Sequence, residues 1–190
     1  VVHARLGGGA AEDNRSLTLS ANEPPRRMAS VPGYFLRMFT QRSTMRRRMG
    51  DLRTTGSAGY ELAMAARGVF DYVVFNGPWI WDLAAGTLIV KEAQGAAFLR
   101  DTKTHRWKPF ETFSSPSEGV PRPSELRAWR GAMVLGKKDV VEHITSGIAV
   151  RQYPIRDFRR RLNQLFAKNK PQGDAPPVTP NRSQGDARSS

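Results

Sequence analysis

The clearest pattern of apolar and polar positions lies in the middle of the chain. Leu62, Ala65, Ala66 and Val69 recur at i, i+3, i+4 and i+7, which predicts a helix over Ser57–Gly68 with one apolar stripe. Glu61 falls in its first turn, where a carboxylate suits the positive end of the helix dipole, and Gly68 suits the left-handed residue after the last turn. Val69–Phe75, rich in β-branched and aromatic residues, predicts a strand that stops at the Asn76-Gly77-Pro78 turn. A second helix is predicted from about Asp82 to Gln94. It has few polar positions, so burial on most sides is expected, and its small residues allow close approach to a neighbour.

Around this centre the pattern is shorter-ranged. Residues 1–14 are Gly-rich, and Ser16–Ser20 alternates polar and apolar like a half-buried strand. Met28–Val31 predicts a short strand, Tyr34 to about Met49 a helix, and Ala96–Leu99 a strand. Residues 101–130 read as a long loop, Ala132–Leu135 as a buried strand and Lys137–Ser146 as a helix ended by Gly147. Strands alternating with helices predict an α/β fold, a layered mixed sheet with packed helices. That domain spans residues 1–148. Residues 149–170 predict a basic amphipathic helix with Ile155, Phe158, Leu162, Leu165 and Phe166 on one side, and 171–190 a disordered tail.

Composition narrows the chemistry. With no cysteine among 190 residues, disulfide, thiolate-metal and Cys-nucleophile readings fall away. A net charge of +13 favours anionic partners, whether phosphorylated substrates, nucleic acid or acidic lipid. There is no apolar run near about 18 residues and no export signal, so a cytoplasmic location is expected. The absence of an initial Met points to a fragment, a processed product or a trimmed chain. Gly7-Gly8-Gly9 lacks the Gly-Lys-Ser/Thr of a nucleotide loop, and His3, His105 and His143 lack metal-ligand spacing. Trp79, Trp81, Trp107 and Trp129 are expected in core or loop packing.

Two stretches carry a family resemblance. Arg53-Thr54-Thr55-Gly56-Ser57-Ala58 before a helix resembles the Gly-Ser/Thr-Ala element of the inositol monophosphatase family. Trp81-Asp82-Leu83-Ala84-Ala85-Gly86, running on to Glu92-Ala93-Gln94-Gly95, resembles that family's second signature, with Gln94 in place of its first closing glycine. The likeness covers roughly residues 1–148, the carboxyl-terminal half of the αβαβα fold of that family. It implies Mg2+-dependent hydrolysis of a phosphomonoester, an inositol or related sugar phosphate, and a homodimer as in many relatives.

The resemblance makes Asp82 a metal ligand and a contact for a substrate hydroxyl, and Gly56, Ser57 and Ala58 substrate-binding through free backbone N–H groups. The plainer readings are an N-cap aspartate and an ordinary capped helix. Phe75 stands where relatives with inositol-type preference often carry a substrate-holding Glu. The first family signature, Asp-Pro-x-Asp-Gly-Thr, is not among these residues. The chain is therefore expected to be inactive alone, with an incomplete Mg2+ site. The competing hypothesis is a non-catalytic scaffold or decayed enzyme that binds nucleic acid or an acidic membrane through its basic surface.

Overall fold

The structure, a computed structural model, describes residues 1–20, 25–45, 49–113 and 120–151. Val1–Arg151 forms one compact unit. It opens with a three-stranded antiparallel meander, β1 (Val2–Arg5), β2 (Gly9–Glu12) and β3 (Arg15–Leu17). Then come β4 (Met28–Ser30), a single helical turn α1 (Phe35–Met38), β5 (Phe39–Gln41) and β6 (Asp51–Arg53). Next are α2 (Ala58–Ala66), β7 (Tyr72–Asn76), α3 (Ile80–Glu92) and β8 (Ala96–Arg100). The unit closes with β9 (Trp107–Pro109), α4 (Pro123–Ala128), β10 (Ala132–Gly136), α5 (Lys138–Gly147) and β11 (Ile148–Val150).

Six strands form a mixed sheet in the order β6-β4-β7-β10-β8-β9. β4 runs parallel to both β6 and β7, while β10 is antiparallel to β7 and β8. Alternation along the central strands separates two cores. Val73, Phe75, Met133 and Leu135 face Leu62, Ala65, Ala66, Leu83 and Val90 of α2 and α3. Tyr72, Val74 and Val134 face Phe35, Phe39, Val141, Ile144 and Ile148 on the other side. Helices cover both faces of a mixed sheet, the layered α/β architecture expected from the alternation of elements.

Four stretches depart from the sequence expectation. The helix expected over Tyr34–Met49 is broken: Phe39–Gln41 leaves it to pair antiparallel with Ile148–Val150, and Phe35 stacks on Phe39 with ring centroids 4.8 Å apart. The expected 101–130 loop contains β9, paired with β8, and α4, where Glu125 accepts from the Arg122 N–H at 3.1 Å. Ala84 and Ala85 of α3 are exposed, so that helix is buried along one side, through Leu83, Gly86, Thr87 and Val90. Residues 149–150, placed in a basic helix from the sequence, belong to β11. The rest of that helix, the 171–190 tail and Arg46–Arg48 lie outside the described residues.

Buried or anchored carboxylates fasten the connections. Glu61, 6% exposed, accepts hydrogen bonds from Thr55 Oγ1 at 2.5 Å and from the Gly56 N–H at 3.2 Å, folding the loop before α2 onto its first turn. Asp71 accepts from the Arg26 and Arg27 N–H groups at 2.9 and 2.6 Å. Glu92, at the end of α3, accepts from Gly7 and Gly9 N–H at 2.9 Å each, and these donors hold its carboxyl below the ordinary range. The glycine-rich turn of the meander is thus clasped by the signature glutamate.

The end of α3 is a two-bond left-handed cap: Gly95 N–H donates to Val90 O and Gln94 N–H to Lys91 O, both at 2.9 Å. Gln94 takes the left-handed position at φ +64°. A side chain there costs about 1–2 kcal/mol, part of which glycine returns as unfolded-state freedom. Gln94→Gly should therefore raise stability by about 0.5–1 kcal/mol in denaturant unfolding. Glu61→Ala should lower it by about 1–2 kcal/mol and speed amide exchange at Gly56; an unchanged Gly56 rate would show that the carboxylate does not hold the turn.

Candidate functional site

Because β4, β6 and β7 are parallel, their carboxyl ends share one edge of the sheet. The loops leaving those ends are the place where ligands bind in open α/β sheets. Here they are tied together. Thr54 Oγ1 donates to Val31 O at 2.9 Å, Val31 N–H to Arg53 O at 2.8 Å, and Tyr34 Oη to Asn76 O at 3.4 Å. α2 starts from this edge after β6, and α3 starts from it after β7.

Gly56 adopts φ +78° with open space where a Cβ would stand, so the turn itself, not crowding, calls for glycine. Its N–H is already committed to Glu61. Ser57 is the N-cap residue and makes no side-chain cap bond; the first bond of the helix runs from Glu61 N–H to Ser57 O at 2.9 Å. The first-turn N–H groups of Ala58–Tyr60 are therefore the donors left without intrahelical partners. Gly56 and Ser57 are exposed and Ala58 is half-buried.

Asp82 is exposed in the first turn of α3, and its own N–H donates to Trp79 O at 3.1 Å. It is not the N-cap: Trp79 is, with extended dihedrals, which makes Asp82 the third helical residue. Its carboxylate sits where the dipole stabilises negative charge, and among the described residues it forms no ion pair. The topology thus brings Gly56, Ser57, Ala58 and Asp82 to one edge, at the starts of two neighbouring helices.

A pair of Mg2+ ions would need several anionic oxygens beside its waters. Among the described residues no cluster of three or more His, Asp or Glu side chains could hold a metal ion. Asp82 alone does not fit such a pair. Phe75 turns into the α2–α3 core at 8% exposure, packed with Leu62 and Leu83, and so fills space between sheet and helices. A cavity of about 650 Å³, lined by Thr40, Arg42, Arg106, Trp107 and Glu142 among others, contains none of the expected site residues.

Sequence reasoning missed the tryptophans at this edge. Trp79 and Trp81 are 46% and 57% exposed and stack on each other, centroids 4.6 Å apart and planes 11° off parallel. The Arg130 guanidinium lies over the Trp79 ring. Trp129, by contrast, packs against Phe113, and Trp107 donates its indole N–H to Ile148 O at 3.1 Å, as packing residues do. The readable signal was Trp-Ile-Trp straddling a helix start, where an extended residue can fold back onto the first turn.

Comparison with known proteins places these features. No curated protein matches the chain. Among solved structures, extragenic suppressor protein suhB from Bartonella henselae is 20% identical, with a TM-score of 0.51 over 75% of this chain and 51% of that one. Inositol monophosphatase II from Staphylococcus aureus is 18% identical, with a TM-score of 0.51 over 76% of this chain and 49% of that one. SaIMPase-II with inositol monophosphate bound is 18% identical, at 0.51 over 89% and 58%. The chain spans about half the length of these proteins, and the likeness is one of fold. The sequence model of the inositol monophosphatase family matches residues 2–125, well over half of the 190, and the chain belongs to that family.

Proposed function

We propose that the chain supplies the carboxyl-terminal half of the active site of a Mg2+-dependent phosphomonoesterase acting on inositol phosphate or a related sugar phosphate. The observation that carries this reading is the meeting of two helix starts, with Gly56–Ala58 on one and Asp82 on the other, at the carboxyl edge of the parallel strands. A solved relative holds inositol monophosphate, which supports the substrate class. In this reading the N–H groups of the first turn of α2 bind a hydroxyl or phosphoryl oxygen. Asp82 accepts a hydrogen bond from a sugar hydroxyl and would be one of the several carboxylate ligands that Mg2+ needs. Mg2+, when bound, would activate water and neutralise phosphoryl charge.

The 190-residue chain by itself is inactive in this account, because one carboxylate cannot assemble the metal pair. The basic balance, +13, supports a second reading: a scaffold that binds nucleic acid or acidic lipid without catalysis. No helix among the described residues is long and apolar enough to cross a membrane; a cytoplasmic location and a homodimer are parts of the proposal.

The purified chain should release no phosphate from inositol monophosphate at any Mg2+ concentration, and measurable Mg2+-dependent release would contradict the half-site. It should bind inositol monophosphate in calorimetry, and Asp82→Ala should weaken that binding about tenfold or more, as expected for one charged hydrogen bond. Equal affinity of the two proteins would remove Asp82 from the substrate site. A salt-sensitive shift of non-specific DNA without inositol phosphate binding would favour the scaffold reading.

A further inference from the structure

Three segments far apart in the sequence wall the cavity beside α5, the helix that packs on the sheet face opposite α2 and α3. β5 and β11 supply one wall, joined by their antiparallel ladder and by Arg42 N–H donating to Gly147 O at 3.1 Å. Trp107 ties β9 to that wall through its indole N–H on Ile148 O at 3.1 Å. Arg106 stands at the end of a turn that Asp101 braces. The Asp101 carboxylate accepts from the Lys103 and Thr104 N–H groups at 2.8 Å each and from Lys108 Nζ at 3.0 Å. Its N–H donates to Arg106 O at 2.8 Å. The space so enclosed, about 650 Å³, falls within the range of small-molecule sites.

The cavity carries charges of both signs that do not meet. Arg42, Arg106 and Glu142 all line it, yet among the described residues none of them forms an ion pair. Asp101, at the base of the Arg106 turn, is already committed to Lys108. α5 ends at Gly147, so the negative end of its dipole adds to the charge of Glu142. At His105, Arg100 Nη2 lies 3.0 Å from Nδ1; a guanidinium only donates, so Nδ1 accepts and Nε2 is the ring's donor. Unpaired cations and an unpaired anion around one space are satisfied together by a molecule that bears both charges. Each guanidinium matches one carboxylate, through two parallel bonds. We propose that this cavity binds an acidic amino acid, with its two carboxylates on Arg42 and Arg106 and its ammonium on Glu142 and the carbonyl end of α5. No residue of the phosphatase reading lines it, so the two readings stand or fall separately.

Calorimetry on the full 190-residue chain compares L-glutamate with glutarate, which keeps both carboxylates and lacks the ammonium. L-Glutamate should bind about tenfold tighter or more, as one charged hydrogen bond implies. Glu142→Gln should remove that difference and leave glutarate affinity unchanged or raised. Arg106→Gln should weaken both compounds about tenfold, and Arg106→Lys should restore part of the loss, since it returns the charge without the fork. Both side chains are exposed, so these variants leave the core intact, and circular dichroism checks this. Asp82→Ala should bind L-glutamate as the parent chain does, which separates this cavity from the helix starts. An absence of saturable L-glutamate binding, equal affinity for glutarate, or a preference that survives in Glu142→Gln overturns the proposal.

Discussion

The close approach of α3 to α2 is the constraint on which the rest of this edge depends. A Cβ on Gly86 would stand 2.6 Å from Leu62 Cβ, so only glycine lets the two helices lie this near. Both helices run back from the carboxyl edge of the parallel strands, and Leu62 and Leu83 fill the space between them and Phe75 of β7. Their starts are held side by side as a consequence, and the charge and donors of two helix N-termini converge on one surface. The signature Ala-Ala-Gly of α3 has a packing role at Gly86, while Ala84 and Ala85 stay exposed.

The same helix shows how one motif serves several ends. Asp82 stands in its first turn, Gly86 sets its depth against α2, and Glu92 grips the turn of the meander through Gly7 and Gly9. Gln94 then accepts a strained conformation to let the chain turn into β8. A thirteen-residue helix thus connects the candidate site to the far hairpin. Family membership follows from the matched sequence, but what the whole site does rests on groups beyond Asp82. The chain keeps the scaffold and the helix starts, with Phe75 serving the core where a substrate-holding carboxylate would be looked for.

Much of this was readable from the sequence, for local reasons. α2, β7 and α5 carry periodic or β-branched residues, α3, β8 and β10 are largely apolar runs, and glycines mark several of their ends. β5 and β11 were hidden because each is three residues long and finds its partner about a hundred positions away, Gln41 opposite Ile148. β9 and α4, of three and six residues, are too short to show a period. At the site, the placement of Gly56–Ala58 and Asp82 followed from reading two helix starts. The Trp79–Trp81 stack did not, because residues two apart do not face each other within a helix; they meet only because Trp79 precedes α3 in an extended conformation.

The central claim is that packing at Gly86 holds both helix starts in place, and backbone amide spectra of the chain and its Gly86→Val variant test it most directly. The account predicts a stability loss of about 1–3 kcal/mol from overpacking, with resonances of Ser57–Tyr60 and Trp79–Leu83 moving together. A variant of undiminished stability, with both groups of resonances unmoved, would contradict it.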